Sequence, residues 1–195
     1  MHDRATAAGR WTRKADFTFL QDQAGLHVYA VAMARGIPAN SSVVIPRLVC
    51  RDVAAAVEFC ARTFGALDLG SRPGPDGKPA HALLTIGPAM IMIEAEWPTL
   101  SSRAPALDGS SPVVIFVYVE DVDKTVELAV AGGAKVLIPV QDQFWGDRIG
   151  SVMDPSGHVW TIATRIEETS EEERRDRWSR ILSEDGEAES TDESG

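Results

Sequence analysis

The chain repeats one pattern twice, and this repeat limits the fold more than any other feature of the sequence. VVIPRLVCRDVAAAVEFCARTFGA at 43–66 aligns with VVIFVYVEDVDKTVELAVAGGAKV at 113–136. Each copy holds an apolar run typical of a strand, then an aspartate, then apolar residues spaced about 3.6 apart as in a helix. Asp52 and Asp121 stand where a carboxylate accepts hydrogen bonds from the first turn of a helix. Two related units therefore follow each other along the chain.

Three strand-like runs follow each helix, separated by turns rich in glycine and proline. The runs cover 67–71, 80–86 and 89–96 in the first unit, and 135–140, 147–153 and 158–164 in the second. Gly65, Gly132 and Gly133 stand at the two helix ends, where glycine tolerates the left-handed conformation of a C-cap. Each unit is therefore predicted to be a βαβββ module, which makes the fold α+β.

The repeated domain is predicted over 43–166, as modules 43–98 and 112–166, with a different kind of sequence on each side. Residues 1–40 carry no sustained period and are predicted to be a poorly ordered extension. The alternative is that they lie upstream of the start used, because Met33 begins a segment suited to a short leader.

The C-terminal region, 167–195, is predicted to be a short helix and a tail. Ser170 and Glu173 have the spacing of a capping box. Three apolar residues then share one helix face: Trp178, Ile181 and Leu182. Beyond Ser183 the composition is acidic and small, with nothing to bury, and predicts disorder.

The net charge of −10 is concentrated in this C-terminal region. Residues 167–195 hold twelve Asp and Glu against four Arg, a net of −8, which leaves about −2 for the rest. No basic stripe with interleaved aromatic residues is present, so nucleic acid is not an expected partner. No apolar run approaches about eighteen residues and no secretory signal is recognised, which favours a cytoplasmic protein without a membrane partner. Cys50 and Cys60 form no CxxC pair and are predicted to be buried, reduced thiols.

Four motifs carry a family resemblance: PRLVCRDVAAAVEFC, RPGPDGKPAHALLTIG, VYVEDVD and PVQDQFWGDRIGSVMDPSGHVWTIATR. Together they resemble the PhnB-like glyoxalase/bleomycin-resistance/dioxygenase branch of the vicinal oxygen chelate superfamily. The resemblance implies two modules that curl into a cup-shaped mixed sheet with the helices outside. It also implies a small-molecule ligand in the concavity, and a homodimer.

The resemblance further identifies the positions at which metalloenzymes of the superfamily hold a divalent ion. Those enzymes take one His or Gln from the first strand and one Glu from the last strand of each module. The corresponding positions here are Ile45, Val114, Met92 and Thr161, with Glu94 two residues beyond Met92 on the same strand face. Such side chains do not make a usual catalytic site for a divalent metal. No cofactor is therefore expected in the standard place.

An alternative site around His81 and Glu94 stays open. His81 and His158, with either Glu94 or Glu96, would give the two-His-one-carboxylate arrangement of iron oxygenases. His81 or Glu94 alone is also a candidate for acid/base catalysis. For His158 the competing interpretation is structural, with its ring bonded to the turn backbone beside Trp160. The alternative function is thus a metal-dependent lyase, isomerase or dioxygenase.

The favoured hypothesis is a metal-independent protein that binds a small molecule on one face of the sheet. Side chains of one parity share a strand face. The predicted ligand-binding residues are Arg47, Met92, Glu94, Phe116, Tyr118 and Thr161 on that face, with Trp145 and Arg148 beside Phe144 at the pocket mouth. Such a pocket is apolar, with a few polar groups that orient the ligand. A mutual ion pair is the alternative for Arg47 and Glu94, and a hairpin cover is the alternative for Trp145.

The DPSGHVW stretch is given a structural role instead. Asp154, Pro155 and Gly157 are expected to build a tight turn, and Trp160 is expected to pack in the core.

Overall fold

The computed structural model describes residues 18–21, 27–30, 38, 41–97 and 102–192. The strands among them are β1 (Thr18–Gln21), β2 (His27–Ala30), β3 (Arg47–Cys50), β4 (Leu67–Pro73), β5 (Pro79–Ile86), β6 (Ala89–Ala95), β7 (Val114–Tyr118), β8 (Lys135–Asp142), β9 (Asp147–Met153) and β10 (Val159–Arg165). The helices are α1 (Val53–Phe64), α2 (Val122–Ala131) and α3 (Glu171–Asp192). The chain divides into two compact units, residues 1–43 and 44–195. No helix in the described ranges is long and apolar enough to cross a membrane.

The first unit contains an antiparallel hairpin of β1 and β2. Thr18 pairs with Ala30, and Gln21 pairs with His27. This hairpin lies within the extension 1–40 that was predicted to be poorly ordered. These two segments form strands because TFLQ and HVYA contain the β-branched and aromatic residues that favour strands. Most of the other residues of 1–40, including the alternative start at Met33, lie outside the described residues.

The second unit consists of two four-stranded mixed sheets with the same strand order. Their orders are β3-β6-β5-β4 and β7-β10-β9-β8. In each sheet the first and last strands of the module pair in parallel, and the remaining pairs are antiparallel. The prediction of two βαβββ modules in an α+β fold is confirmed. Below, module one contains β3 to β6 and module two contains β7 to β10.

The two helices begin at the predicted aspartates. Asp52 accepts a hydrogen bond from the N–H of Ala55 (3.0 Å), and Asp121 accepts one from the N–H of Lys124 (3.0 Å). Each carboxylate satisfies an N–H group that the first helical turn leaves free. At the end of α1, Gly65 takes the left-handed conformation with φ 65°. Both helices therefore begin with the same N-cap, whereas their ends differ, because Gly132 at the end of α2 has φ −83°.

The two modules share one core, built from the helices and the sheet faces that carry them. Trp160 of β10 is fully buried, and its ring lies 4.7 Å from that of Phe64 in α1. Cys50 and Cys60 belong to the same cluster, and both are free and buried, as predicted. Desolvation raises the pKa of each thiol to about 12, so neither is a nucleophile at neutral pH.

The predicted capping box opens α3. Ser170 donates its N–H to Glu173 Oε2 (2.7 Å), and Glu173 donates its N–H to Ser170 Oγ (3.2 Å). The helix continues to Asp192, beyond the end predicted near Ser183. Glu and Ala in this last part have high helix propensity, which extends a helix without needing an apolar face.

Candidate functional site

Each sheet has one face toward the shared core and one face directed away from it, called here the open face. In β7, Ile115 and Val117 pack against the core, whereas Val114, Phe116 and Tyr118 point to the open face. In β3, Leu48 and Cys50 are buried, so Arg47 and Val49 lie on the open face. The alternation of side chains along a strand produces this division.

Module one places a trio of polar side chains on its open face. Glu94 of β6 lies between two basic side chains, with Arg47 Nη1 3.3 Å from Oε2 and His81 Nδ1 3.6 Å from Oε1. The register explains the cluster, because His81 stands directly across from Glu94 and Arg47 stands across from Met92. The structure thus brings together Arg47, Met92, Glu94 and His81, and it forms the ion pair that was the alternative for Arg47 and Glu94.

Module two places aromatic residues on its open face. The rings of Phe116 and Tyr118 lie 5.2 Å apart at 58°, and these residues are 50% and 57% exposed. Thr161 stands across from Phe116 in the parallel pair, and its Oγ1 lies 3.0 Å from Ser151 Oγ. The predicted residues Phe116, Tyr118 and Thr161 therefore share one surface.

A buried carboxylate under this surface was missed from the sequence. Asp147 is 1% exposed, and its Oδ2 accepts hydrogen bonds from Tyr118 Oη (2.9 Å) and Trp145 Nε1 (2.8 Å). Its Oδ1 accepts no hydrogen bond from the described residues and lies 3.1 Å from Arg165 Nε in an ion pair. Arg165 and Asp147 are cross-strand partners, which explains their contact. In the sequence Asp147 follows Trp145 and Gly146 and resembles an ordinary turn residue. Only the register with β10 reveals its partner.

A cleft runs between the two first strands, β3 and β7. It measures about 600 Å³, and its lining includes Arg47, Val49, Arg103, Val114, Phe116 and His158. The His158 ring does not join His81 and Glu94, because its Nε2 lies 2.9 Å from the carbonyl oxygen of Val49. A carbonyl only accepts, so Nε2 carries the proton and donates. His158 therefore ties the two modules together beside the cleft.

Trp145 lies under the C-terminal helix. Its ring meets Phe144 edge to face at 4.9 Å, and Phe144 stacks on Trp178 of α3 at 5.2 Å. The Trp145 carbonyl accepts from Arg165 and from the Thr169 hydroxyl, both at 2.9 Å. Trp145 covers this hairpin, which was the alternative given for it, and it reaches the open face only through its bond to Asp147.

Arg148 does not join the other predicted site residues. It donates from Nε and Nη2 to Asp123 of α2 (2.8 and 2.9 Å) and from Nη1 to Asp142 (2.7 Å). Successive side chains of a strand point to opposite faces. Asp147 lies on the side of the open face, so Arg148 points to the helix-bearing face. We therefore leave Arg148 out of the candidate site.

The DPSGHVW stretch is structural, as expected. Asp154 Oδ1 accepts from the N–H groups of Ser156 and His158, and Oδ2 accepts from the Trp160 indole (3.0 Å). Gly157 has φ 94°, and a side chain there would lie 2.7 Å from the carbonyl oxygen of Ala106. Only glycine fits this turn.

The standard metal positions of the superfamily lack suitable donors. Ile45, Val114 and Met92 offer no hard donor atom, and the Thr161 hydroxyl already pairs with Ser151. Within residues 41–97 and 102–183, no three His, Cys, Asp or Glu side chains lie close enough together to hold a metal ion. The residues present do not fit the divalent ion that the superfamily implies.

Comparisons with known proteins agree with this architecture. The family described as the Glyoxalase/Bleomycin resistance protein/Dioxygenase superfamily matches residues 42–162. An uncharacterized protein of Mycobacterium bovis is 40% identical over 131 residues, which cover 66% of this chain and 86% of that protein.

Two solved structures show the same fold. TioX from Micromonospora sp. ML1 is 30% identical with a TM-score of 0.51, covering 65% of this chain and 100% of its own. A glyoxalase/bleomycin resistance protein/dioxygenase family enzyme from Burkholderia phytofirmans PsJN is 20% identical with a TM-score of 0.51, covering 62% and 95%. With the family match over residues 42–162, the two βαβββ modules establish that this chain belongs to the Glyoxalase/Bleomycin resistance protein/Dioxygenase superfamily.

Proposed function

We propose that the protein binds a small, planar, mainly apolar molecule against the open faces of its modules, without a metal ion at the standard positions. One observation carries the proposal: Phe116 and Tyr118 form a half-exposed aromatic pair on a sheet face, and Phe116 borders the cleft between β3 and β7. Aromatic rings exposed together on a protein surface mark binding sites more often than isolated ones.

The cleft has the size and chemistry of a ligand site. Its volume of about 600 Å³ lies within the roughly 300–1,000 Å³ typical of small-molecule pockets. Its walls are mostly aliphatic and aromatic, with Arg47 and Arg103 as charged groups. The matching family includes bleomycin resistance proteins by its description, which supports binding as a role.

A second copy of the chain is the proposed cover for the remaining apolar surface. Large side chains stay exposed on three strands: Leu67 and Leu69 on β4, Val114, Phe116 and Tyr118 on β7, and Val136, Leu137 and Ile138 on β8. Exposed apolar residues on several strands are typical of a surface that a partner covers. Light scattering after size exclusion should give about twice the chain mass of 21.1 kDa, whereas the mass of one chain would contradict the homodimer.

The absence of a metal is part of the proposal and has its own test. Elemental mass spectrometry of purified protein should find no stoichiometric Zn, Ni, Mn or Fe, and these ions should not raise the melting temperature. A stoichiometric metal that His81→Ala or Glu94→Ala removes would favour the alternative, a metal-dependent enzyme around His81 and Glu94. The cytoplasmic location and the lack of nucleic-acid and membrane partners stay predictions.

The binding proposal is tested with planar bicyclic probes. Saturation-transfer NMR with indole, benzofuran and naphthalene should show contact with the native protein. Phe116→Ala should weaken every probe several-fold, since it removes the aromatic wall. Val130→Ala is the matched control, because Val130 is 47% exposed on α2, away from the cleft. Loss of binding in both variants, or in neither, would contradict the proposed site.

A further inference from the structure

We infer that Tyr118 makes this site selective for ligands that donate a hydrogen bond, in particular neutral planar heterocycles that carry an N–H or O–H group. The inference rests on the proposed function and adds the chemistry of the ligand. It rests on the direction of the hydrogen bond that the Tyr118 hydroxyl makes with its single proton.

Asp147 fixes the direction of that proton. Its Oδ2 accepts both the Tyr118 hydroxyl (2.9 Å) and the Trp145 indole N–H (2.8 Å), while Arg165 Nε lies 3.1 Å from Oδ1. An ionised carboxylate can only accept. Since Asp147 is 1% exposed and has an arginine beside it, it stays in place as an acceptor. The hydroxyl of Tyr118 must therefore donate to Asp147.

The consequence for a ligand follows from the donor and acceptor capacity of the hydroxyl. A phenol has one proton to donate and lone pairs that accept. With the proton directed to Asp147, only the lone pairs remain for a molecule on the open face. Tyr118 is 57% exposed, so a ligand can reach its oxygen. The same hydrogen bond raises the pKa of Tyr118, which keeps the phenol protonated and this polarity unchanged at physiological pH.

The charges around Tyr118 cancel, so a ligand needs a hydrogen-bond donor but no charge of its own. The negative charge of Asp147 is balanced by Arg165 at 3.1 Å, so the pair presents no net charge to the surface. Phe116 stands beside Tyr118, and both side chains are half exposed. A flat molecule can therefore lie against this aromatic pair with the Tyr118 oxygen at its edge.

Indole and benzofuran form the matched pair of probes, because they share a shape and differ in an N–H donor against an ether oxygen. Titrations followed by NMR give the ratio of their dissociation constants in wild type and in Tyr118→Phe. This ratio of ratios removes the difference in hydration between the probes. We expect the preference for indole to fall by about 3- to 10-fold in Tyr118→Phe, the size of one hydrogen bond. Phe116→Leu should weaken both probes equally.

The outcomes separate the inference from the proposed function. An indole preference that is unchanged in Tyr118→Phe would overturn the selectivity while leaving the binding site in place. A preference for indole over benzofuran that is larger in Tyr118→Phe than in wild type would also overturn it. If neither probe binds wild-type protein at millimolar concentration, the proposed function fails and the inference fails with it.

Discussion

The two modules have the same strand order and pairing but differ in the chemistry of their open faces. Residues 69 apart occupy the same place, as the pairs Arg47 with Met92 and Phe116 with Thr161 show. Four equivalent pairs have this offset: Arg47 and Phe116, Val49 and Tyr118, Met92 and Thr161, and Glu94 and Ala163. His81 and Ile149, which are 68 residues apart, are also equivalent, because His81 stands across from Glu94 and Ile149 stands across from Ala163. Every polar residue of the trio in module one thus has an apolar counterpart in module two.

The difference shows how one scaffold supports two kinds of surface. In module one, Glu94 meets its partners at 3.3 and 3.6 Å, and Arg47 keeps half of its side chain in solvent. In module two, the polar group is the buried carboxylate of Asp147, held by hydrogen bonds of 2.8 and 2.9 Å and by an ion pair at 3.1 Å. Exposed ion pairs contribute little to stability, whereas a buried charge depends on every partner. We therefore expect module two to be the more sensitive to substitution.

The largest effect is expected in the turn that joins the last two strands of module two, and the equivalent turn of module one serves as the control. Gly157→Ala should destabilise the protein by about 4 kcal/mol or more, because φ is 94° and the new side chain would overlap the Ala106 carbonyl. Gly87→Ala in module one is the control, with φ 54° and nothing within 4 Å, and should cost about 1 kcal/mol. Urea denaturation measures both. Equal losses would show that the modules tolerate strain alike.

A second comparison removes one carboxylate from each open face. Asp147→Ala should lower the free energy of unfolding by about 3 kcal/mol, since Tyr118 and Trp145 lose their acceptor and Arg165 loses its ion-pair partner. Glu94→Ala should lower it by less than about 1 kcal/mol, because its arginine partner is half exposed. Chemical denaturation of both variants checks the order. A larger loss for Glu94→Ala would reverse our view of the two faces.

The smallest effect should appear at high pH. Asp147 raises the pKa of Tyr118 above the ordinary value of about 10. The folded protein therefore holds this proton more tightly than the unfolded chain. The resulting stability is fully present below about pH 10 and is lost as the pH rises through the folded value. Ultraviolet titration of tyrosinate should show one group with a high pKa that disappears in Tyr118→Phe and shifts down in Asp147→Asn. A pKa unchanged in Asp147→Asn would contradict the contact.

Much of the fold follows from the sequence because its signals are local. The repeat, the caps at Asp52 and Asp121 and the turn at Asp154 each depend on neighbours within a few residues. The open-face positions Arg47, Glu94, Phe116 and Tyr118 follow from the period of two along a strand.

The parts that sequence reasoning missed depend on distant contacts or on where a strand begins. Asp147 gains its role from Tyr118, 29 residues away, and from Arg165 on the neighbouring strand. Arg148 was expected beside Trp145 at the pocket mouth, but one step along β9 turns it toward Asp123. The alternation in DRIGSVM, with Gly150 and Val152 facing the core, was the available signal for that direction.

The central claim is that the open face of β7, with the adjoining cleft, is the place where a small molecule binds. The most direct measurement is a map of amide chemical shifts in ¹⁵N-labelled protein during titration with indole. We predict saturable shifts concentrated at residues 114–118, at Val49 and at 161–163, with little change on α2. Shifts that do not saturate, or that concentrate on α2 or beside Trp178, would contradict the site.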